Sequence, residues 1–214
     1  MRPILSAIVL AGGGSRRMGR DKRSIEVDGR PMLTRAVRLA AQVSEDVVVS
    51  CRAEAPPDSR LFDGVPVRLV FDRRDGGPLA GLEASLDAVA NDLAVVLAVD
   101  MPAVTEPMVW RLAEAAADRP EASASLFVGE SGLVPFPAVL RRKARVVIST
   151  QLDGAALRVA DALLKLDPVT VPEATGALLA GPMAFLNVNG PQDLASAAQA
   201  SPAGSGTTEP RPDE

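Results

Sequence analysis

Ala7-Ile8-Val9-Leu10-Ala11-Gly12-Gly13-Gly14-Ser15-Arg16-Arg17-Met18-Gly19-Arg20-Asp21-Lys22 is the stretch that decides how this chain is read. The apolar run from Ile4 to Leu10 predicts a buried first strand. It empties into three glycines, two arginines and then a lysine. Glycines let a backbone approach a ligand closely and adopt conformations that a Cβ forbids. Successive N–H groups in such a loop form a concavity for anions. Arg17 and Lys22 can add charge-assisted contacts to phosphate oxygens. The combination points to a nucleoside triphosphate at the carboxyl end of strand one.

Two familiar phosphate loops do not match. A dinucleotide fingerprint begun at Gly12 and Gly14 has Arg17 in place of its third glycine. A P-loop begun at Gly14 finds Gly19, but Arg20-Asp21 stands where Lys-Ser/Thr is required. Taken alone, Gly-Gly-Gly-Ser would also suit an ordinary glycine-rich turn.

Composition narrows the chemistry. The 214 residues are enough for one domain with a real core. At 47% apolar and 23% charged, the chain reads as soluble and globular. The net charge of −4 gives no broad basic face for nucleic acid. No apolar stretch reaches the roughly 18 to 20 residues that span a membrane, so neither partner is expected, and a cytoplasmic location is. The start of the chain looks faintly like a signal peptide, but glycines and arginines replace any cleavage region. One cysteine, Cys51, excludes an intramolecular disulfide and a thiolate metal cage; a buried structural thiol is expected there. Histidine is absent, which removes His-based triads and His-ligated zinc. What remains is carboxylates, Lys, Arg, backbone amides and a hard, oxygen-loving cation. Phosphoryl chemistry needs little more, because positioning and charge neutralisation do most of the catalysis.

Apolar strands alternate with helical patterns, which predicts an α/β fold: a mostly parallel sheet with helices on both faces. Strands are expected near 4–10, 46–50, 66–71, 93–99, 122–128 and 134–140, with a late one near 184–188. Helices are expected from Pro31 to Val43, from Pro78 to about Ala90, from Glu106, near 141–152 and 155–165, and from Pro191 to about Ala200. One domain therefore covers 1–200. Residues 201–214 carry three prolines and one alanine as their only apolar side chain, a composition expected of a disordered tail.

In an open α/β sheet, ligands bind beyond the carboxyl ends of the strands. Asp100 ends the apolar run Leu93 to Val99, and Met101-Pro102 turns the chain at once. Magnesium takes one or two carboxylates plus phosphate oxygens and waters, so Asp100 is a natural Mg2+ ligand; an Asx turn is the ordinary alternative. Asp72 ends the run Val67 to Phe71, beside Arg73 and Arg74, with which it can form a surface ion pair. Gly76 and Gly77 precede the helix at Pro78, whose amino end suits a phosphate. Asn187 and Asn189, two apart, fall on one face of the late strand, as neutral partners for metal or phosphate.

The whole pattern resembles the opening motif L-A-G-G-x-S-x-R-M-G-x-D-K of the molybdenum cofactor nucleotidyltransferases, nearest the guanylyltransferase (MobA-like) branch, and Leu10 to Lys22 meet every fixed position. Further matches follow in order: Gly29 to Leu33, Gly77 to Gly81, Val99-Asp100-Met101-Pro102, and Phe185 to Leu194. The resemblance runs over about residues 4 to 198. It implies a single Rossmann-like nucleotidyltransferase domain that moves GMP from GTP to the terminal phosphate of molybdopterin and releases pyrophosphate, with Mg2+. It also implies a nucleotide pocket of Leu10, Ala11, Gly12, Gly13, Lys22, Asp72, Asp100, Asn187 and Asn189, with catalysis by Lys22, Arg17 and Asp100. Transient contacts with proteins that deliver or receive the cofactor belong to the same expectation. Two departures stand out. Ser50 occupies a place where the guanylyltransferases tend to carry Asn, and Gly190 one where they tend to carry Thr. Cytidylyl transfer, transfer to another phosphorylated small molecule, and a non-catalytic nucleotide-binding regulator are the competing readings.

Overall fold

The structure, a computed structural model, describes residues 2–12 and 21–200. Gly13 and Arg17 of the glycine loop and the segment 201–214 lie outside the described residues.

The central strand is β1 (Leu5–Leu10), which pairs in parallel with β4 (Asp46–Cys51) on one side and β6 (Leu93–Ala98) on the other. Ala7 sits opposite both Val47 and Val95. A strand flanked on both edges and covered on both faces is expected to be almost wholly apolar, and the run Ile4 to Leu10 has one polar residue, Ser6, whose buried hydroxyl donates to Asp46 at 2.6 Å. Side chains alternate between two cores. Leu5, Ala7 and Val9 face α1 (Met32–Val43) and α3 (Glu106–Ala117), while Ile8 faces α2 (Pro78–Ala88) and α4 (Ala144–Asp153). On α1 the buried Leu33, Val37, Ala40 and Val43 recur at helical spacing, which gives the helix the one apolar stripe it packs with.

The remaining strands complete a seven-stranded sheet. β5 (Arg68–Phe71) forms one edge, while β8 (Gly132–Arg141), β7 (Ala124–Gly129) and β9 (Val169–Pro172) follow β6 in the order β5-β4-β1-β6-β8-β7-β9. β8 runs antiparallel to both of its neighbours; every other pairing in this sheet is parallel. A small hairpin of β2 (Glu26–Val27) and β3 (Arg30–Pro31) leads into α1. Pro31 therefore caps α1 from outside rather than occupying its first turn. The helices α5 (Val159–Leu164), α6 (Glu173–Ala180) and α7 (Pro191–Ala200) finish the fold. No helix among the described residues is long and apolar enough to cross a membrane.

Two expectations need correction. Residues 184–188 form no strand; a turn runs into a segment without regular structure, which Val188 N–H ties to the Asp100 carbonyl at 2.8 Å. The last strand is instead β9, directly followed by α6, in a region the sequence pattern left unassigned. Cys51 is fully buried as the final residue of β4, and burial pushes its thiol up from the ordinary value, as suits a structural cysteine.

Candidate active site

The carboxyl ends of β1, β4 and β6 meet at one edge of the sheet. Ala11 N–H donates to the Ser50 carbonyl at 2.8 Å, and Val99 N–H to the Leu10 carbonyl at 3.4 Å. Just beyond these strand ends lies a cavity of about 360 Å3, on the side of the sheet covered by α2. Leu10, Ala11 and Gly12 form its floor, and Lys22, Asp72, Asp100 and Asn187 all line it. The sequence-predicted residues that are described thus converge on one site, with Asn189 reaching it through Lys22.

At the centre of the site Lys22 Nζ donates to Asn189 Oδ1 at 2.7 Å and lies 3.3 Å from Asp100 Oδ2. The lysine is presented by a 3-10 turn, Lys22 to Ser24, whose cap is Asp21. Arg23 clamps this turn. Its Nε bonds both carboxylate oxygens of Asp21, at 2.9 and 2.8 Å, and its Nη1 donates to the Ala55 carbonyl at 2.7 Å. Burial works against charge on Asp21, but the Arg23 contacts override it and hold the carboxyl below its ordinary value. Arg23 itself lines the cavity, a residue the sequence reading did not single out. The signal for it was weak: one more charge in a basic loop.

Asn187 and Asn189 keep their shared face without a strand. Val188 between them is fully buried against Val27 and Met32, which turns both amides outward. The place vacated by the family threonine is served from the other direction. Asp193 Oδ2 accepts from the N–H groups of Asn189 and Gly190, at 2.8 and 2.9 Å, and fixes the start of α7.

The second polar group is Asp72. It takes no part in the ion pairs foreseen for it, because Arg73 bonds Asp87 and Arg74 bonds Glu83 and Asp153. Its partner is the buried Ser50 hydroxyl, 3.4 Å from Oδ1. Burial pushes the Asp72 carboxyl above its ordinary value, against the Ser50 bond and nearby Arg52. Gly81 of α2 packs directly over this pair: a Cβ there would lie 2.4 Å from Ser50 Oγ and 3.2 Å from Asp72 Oδ1. Gly77, with φ of +59°, supplies the left-handed residue that starts α2 at the cavity rim.

The donor set suits Mg2+. Asp100 brings a single carboxylate and Asn187 a neutral amide to the cavity, leaving further positions for phosphate oxygens and water, while the Asn189 oxygen is engaged by Lys22. Among the described residues no group of three acidic or thiolate side chains forms a closed metal cage.

The MobA-like NTP transferase domain model matches residues 7–171. The chain belongs to this family. As a MobA-like NTP transferase it is a nucleotidyltransferase enzyme. It is 35% identical over 202 residues to the molybdenum cofactor guanylyltransferase of Rhodobacter capsulatus, spanning 90% of this chain and 94% of that one. It is 32% identical over 196 residues to a probable molybdenum cofactor guanylyltransferase of Chloroflexus aggregans, with 89% and 92% covered. The fold is similar to that of molybdopterin-guanine dinucleotide biosynthesis protein A from Archaeoglobus fulgidus. The TM-score is 0.76 at 22% identity, over 90% of this chain and 96% of that one. A nucleotidyl transferase from Methanothermobacter has the same fold, with a TM-score of 0.71 at 20% identity over 92% and 96%.

Proposed function

We propose that this MobA-like transferase moves GMP from GTP to the terminal phosphate of molybdopterin, releasing pyrophosphate. The observation that carries the reading is the meeting of Lys22, Asp100 and Asn189 at the strand ends, beside a half-buried carboxylate, Asp72, in the same cavity. The guanylyltransferase names of relatives that span nearly all of the chain support the choice of donor and acceptor.

The reaction forms a bond from an acceptor phosphate oxygen to the α-phosphorus and breaks the bond from that phosphorus to the bridging oxygen of pyrophosphate. A phosphate monoester is already ionised near neutral pH, so no general base is required, in keeping with a chain that lacks histidine. Lys22 neutralises charge on the phosphates as it shifts toward the leaving group. Asn189 holds the lysine ammonium in place through its side-chain oxygen. Asp100 and the substrate phosphates would hold Mg2+, which supplies Lewis-acid polarisation of the phosphoryl oxygens. Arg17, outside the described residues, carries a second phosphate contact in this reading. Asp72 accepts from donor groups on the base, and Ser50 orients it.

The test is direct. The purified protein is incubated with molybdopterin, Mg2+ and GTP, and then with CTP, and dinucleotide and pyrophosphate are both quantified. Equal amounts of both products from GTP are expected. Product from CTP alone overturns the guanylyl assignment, and no product from either nucleotide overturns the acceptor.

A further inference from the structure

The aromatic inventory of this chain is small: five Phe, one Trp and no Tyr. Five of these six rings are committed elsewhere. Phe62 and Phe127 are buried in the core beneath α1 and α3, and Phe185 meets Phe127 edge-on with ring centroids 5.0 Å apart. Trp110 lies under Arg2, 4.7 Å from its guanidinium carbon, and bonds Glu106. Phe71 is on the edge strand β5 and does not line the cavity. Phe136 alone lines it, half-buried, with Val134, Pro135 and Val159 around it.

The backbone is built to present this ring. Along the β7–β8 ladder Leu126 pairs with Ala138, but the next residue, Phe127, pairs with Val134. Pro135, Phe136 and Pro137 are therefore surplus on β8. The β6–β8 ladder also stops at Val96 opposite Ala138, so this bulge is off both ladders. Two of its three residues are prolines, which have no N–H to give to either neighbour. Bulges next to a site re-aim side chains, and this one opens β8 just where it passes the carboxyl end of β6, the strand that leads to Asp100.

The sheet order then divides the cavity. Ser50, near the end of β4, and Asp72, just after β5, are the groups able to read a base and lie on one side of β1. Asp100 follows β6, and the apolar ledge of β8 lies on the far side of it. A nucleoside with its base at Asp72 and its phosphates at Lys22 and Asp100 leaves that ledge to the other reactant. We propose that Phe136, with Pro135, Val134 and Val159, forms the acceptor subsite, and that it takes a planar heterocycle carrying a phosphate monoester. The ring plane stacks on Phe136 while the phosphate reaches toward Lys22 and Asp100. This rests on the proposed function for the identity of the acceptor.

The experiment compares the parent with Phe136→Leu, which keeps an apolar side chain of similar bulk but removes the aromatic face, and with Val159→Asp. For each, KM for molybdopterin is measured at saturating GTP, and Kd for Mg-GTP is measured without acceptor. Loss of a stacked ring is expected to raise the acceptor KM roughly tenfold, on the scale of base–aromatic stacking. Val159→Asp is expected to raise it as well. Kd for Mg-GTP should stay within twofold in both variants, which also shows that they fold. An unchanged acceptor KM in Phe136→Leu, or a rise in GTP Kd that matches it, overturns the subsite while leaving the functional reading intact. Absence of turnover by the parent protein overturns that reading and the subsite with it.

Discussion

Lys22 and Asn189 are separated by 167 positions in sequence, and the side-chain amide oxygen of one lies 2.7 Å from the ammonium of the other. The contact joins the loop after the first strand to the segment before the last helix. Asp100, 3.3 Å from the same ammonium, joins the end of β6 to both. The Lys22 ammonium is thus fixed by three remote pieces of chain, so its geometry depends on completion of the whole domain.

Lys22→Ala is expected to lower kcat by about a hundredfold or more, the scale seen when an electrostatic stabiliser of a transition state is removed. The melting temperature should change little, since the lysine belongs to a partly exposed turn whose cap is Asp21. Steady-state pyrophosphate release checks the first claim and calorimetry the second. A purified variant that retains parental kcat would remove Lys22 from the mechanism.

For Asp100→Asn the informative measurement is a Mg2+ titration of product formation. Loss of the single carboxylate at the end of β6 is expected to shift the half-saturating Mg2+ concentration upward by about tenfold or more and to depress the rate at saturation. Nucleotide binding without metal should persist, because Asp72, Ser50 and the Leu10–Gly12 backbone are untouched. Superimposable titrations would contradict the assignment.

Much of this site was legible before the fold was known, for a reason visible in β1 and β6. Both strands are largely apolar on two faces, so their ends stand out where β1 gives way to glycines and β6 to Asp100, and in an α/β sheet that end is where ligands sit. Leu10 to Gly12 and Asp100 follow from this rule alone. The shared face expected of Asn187 and Asn189 comes from buried Val188 between them rather than from a strand, which does not form there. β9 and α6 were missed because they are short and interrupted: Val169-Thr170-Val171 favours a strand but stops at Pro172, and the eight-residue helix that follows is broken in the sequence pattern by Gly176. The Phe136 ledge was illegible for another reason. A bulge is defined by its partner strand, and no single segment of sequence records the offset between Leu126–Ala138 and Phe127–Val134.

Gly81→Ala should destabilise the protein through one identifiable contact. The added methyl would sit 2.4 Å from Ser50 Oγ, and the hydroxyl, being buried, has little room to retreat. Overpacking of this kind costs about 1–3 kcal/mol, enough to lower the melting temperature by several degrees. Adding Ser50→Ala removes the clashing oxygen, so the double variant should recover most of that loss. If the two substitutions lower the melting temperature additively, the contact is not the cause.

Asp72 gives a pH-dependent signature. Burial raises its folded pKa above the unfolded value, so the fold favours the protonated form. That contribution to stability is fully present below the unfolded pKa, near 4, and is lost as pH rises through the folded value. Asp72→Asn is neutral throughout and escapes the loss. It is therefore expected to melt above the parent at neutral pH, with the gap closing as pH falls toward about 4. Thermal denaturation across that range decides the matter, and a gap independent of pH would contradict it.

The same carboxylate is expected to set the choice of base. An ionised carboxylate only accepts hydrogen bonds, and guanine offers donors on adjacent atoms of its ring edge, including the exocyclic amine. Cytosine offers one amino donor, with the acceptors N3 and O2 along the rest of that edge, which an acceptor-only group repels. Ser50 is shorter than the asparagine expected at its position and already donates to Asp72, so it adds orientation rather than a second reading group. Discrimination is thus expected to rest on Asp72 together with the main-chain groups of Leu10 to Gly12, all of which line the cavity. A site that hydrogen-bonds the correct base rejects the wrong one strongly, because buried polar groups are left unpaired. The ratio of kcat/KM for GTP over CTP, with molybdopterin as acceptor, should exceed about a hundredfold in the parent. In Asp72→Ala it should fall by at least tenfold, mainly through weaker GTP use, while Lys22 and Asp100 still support the residual reaction. Retention of the parental ratio in Asp72→Ala would assign base selection to the backbone alone.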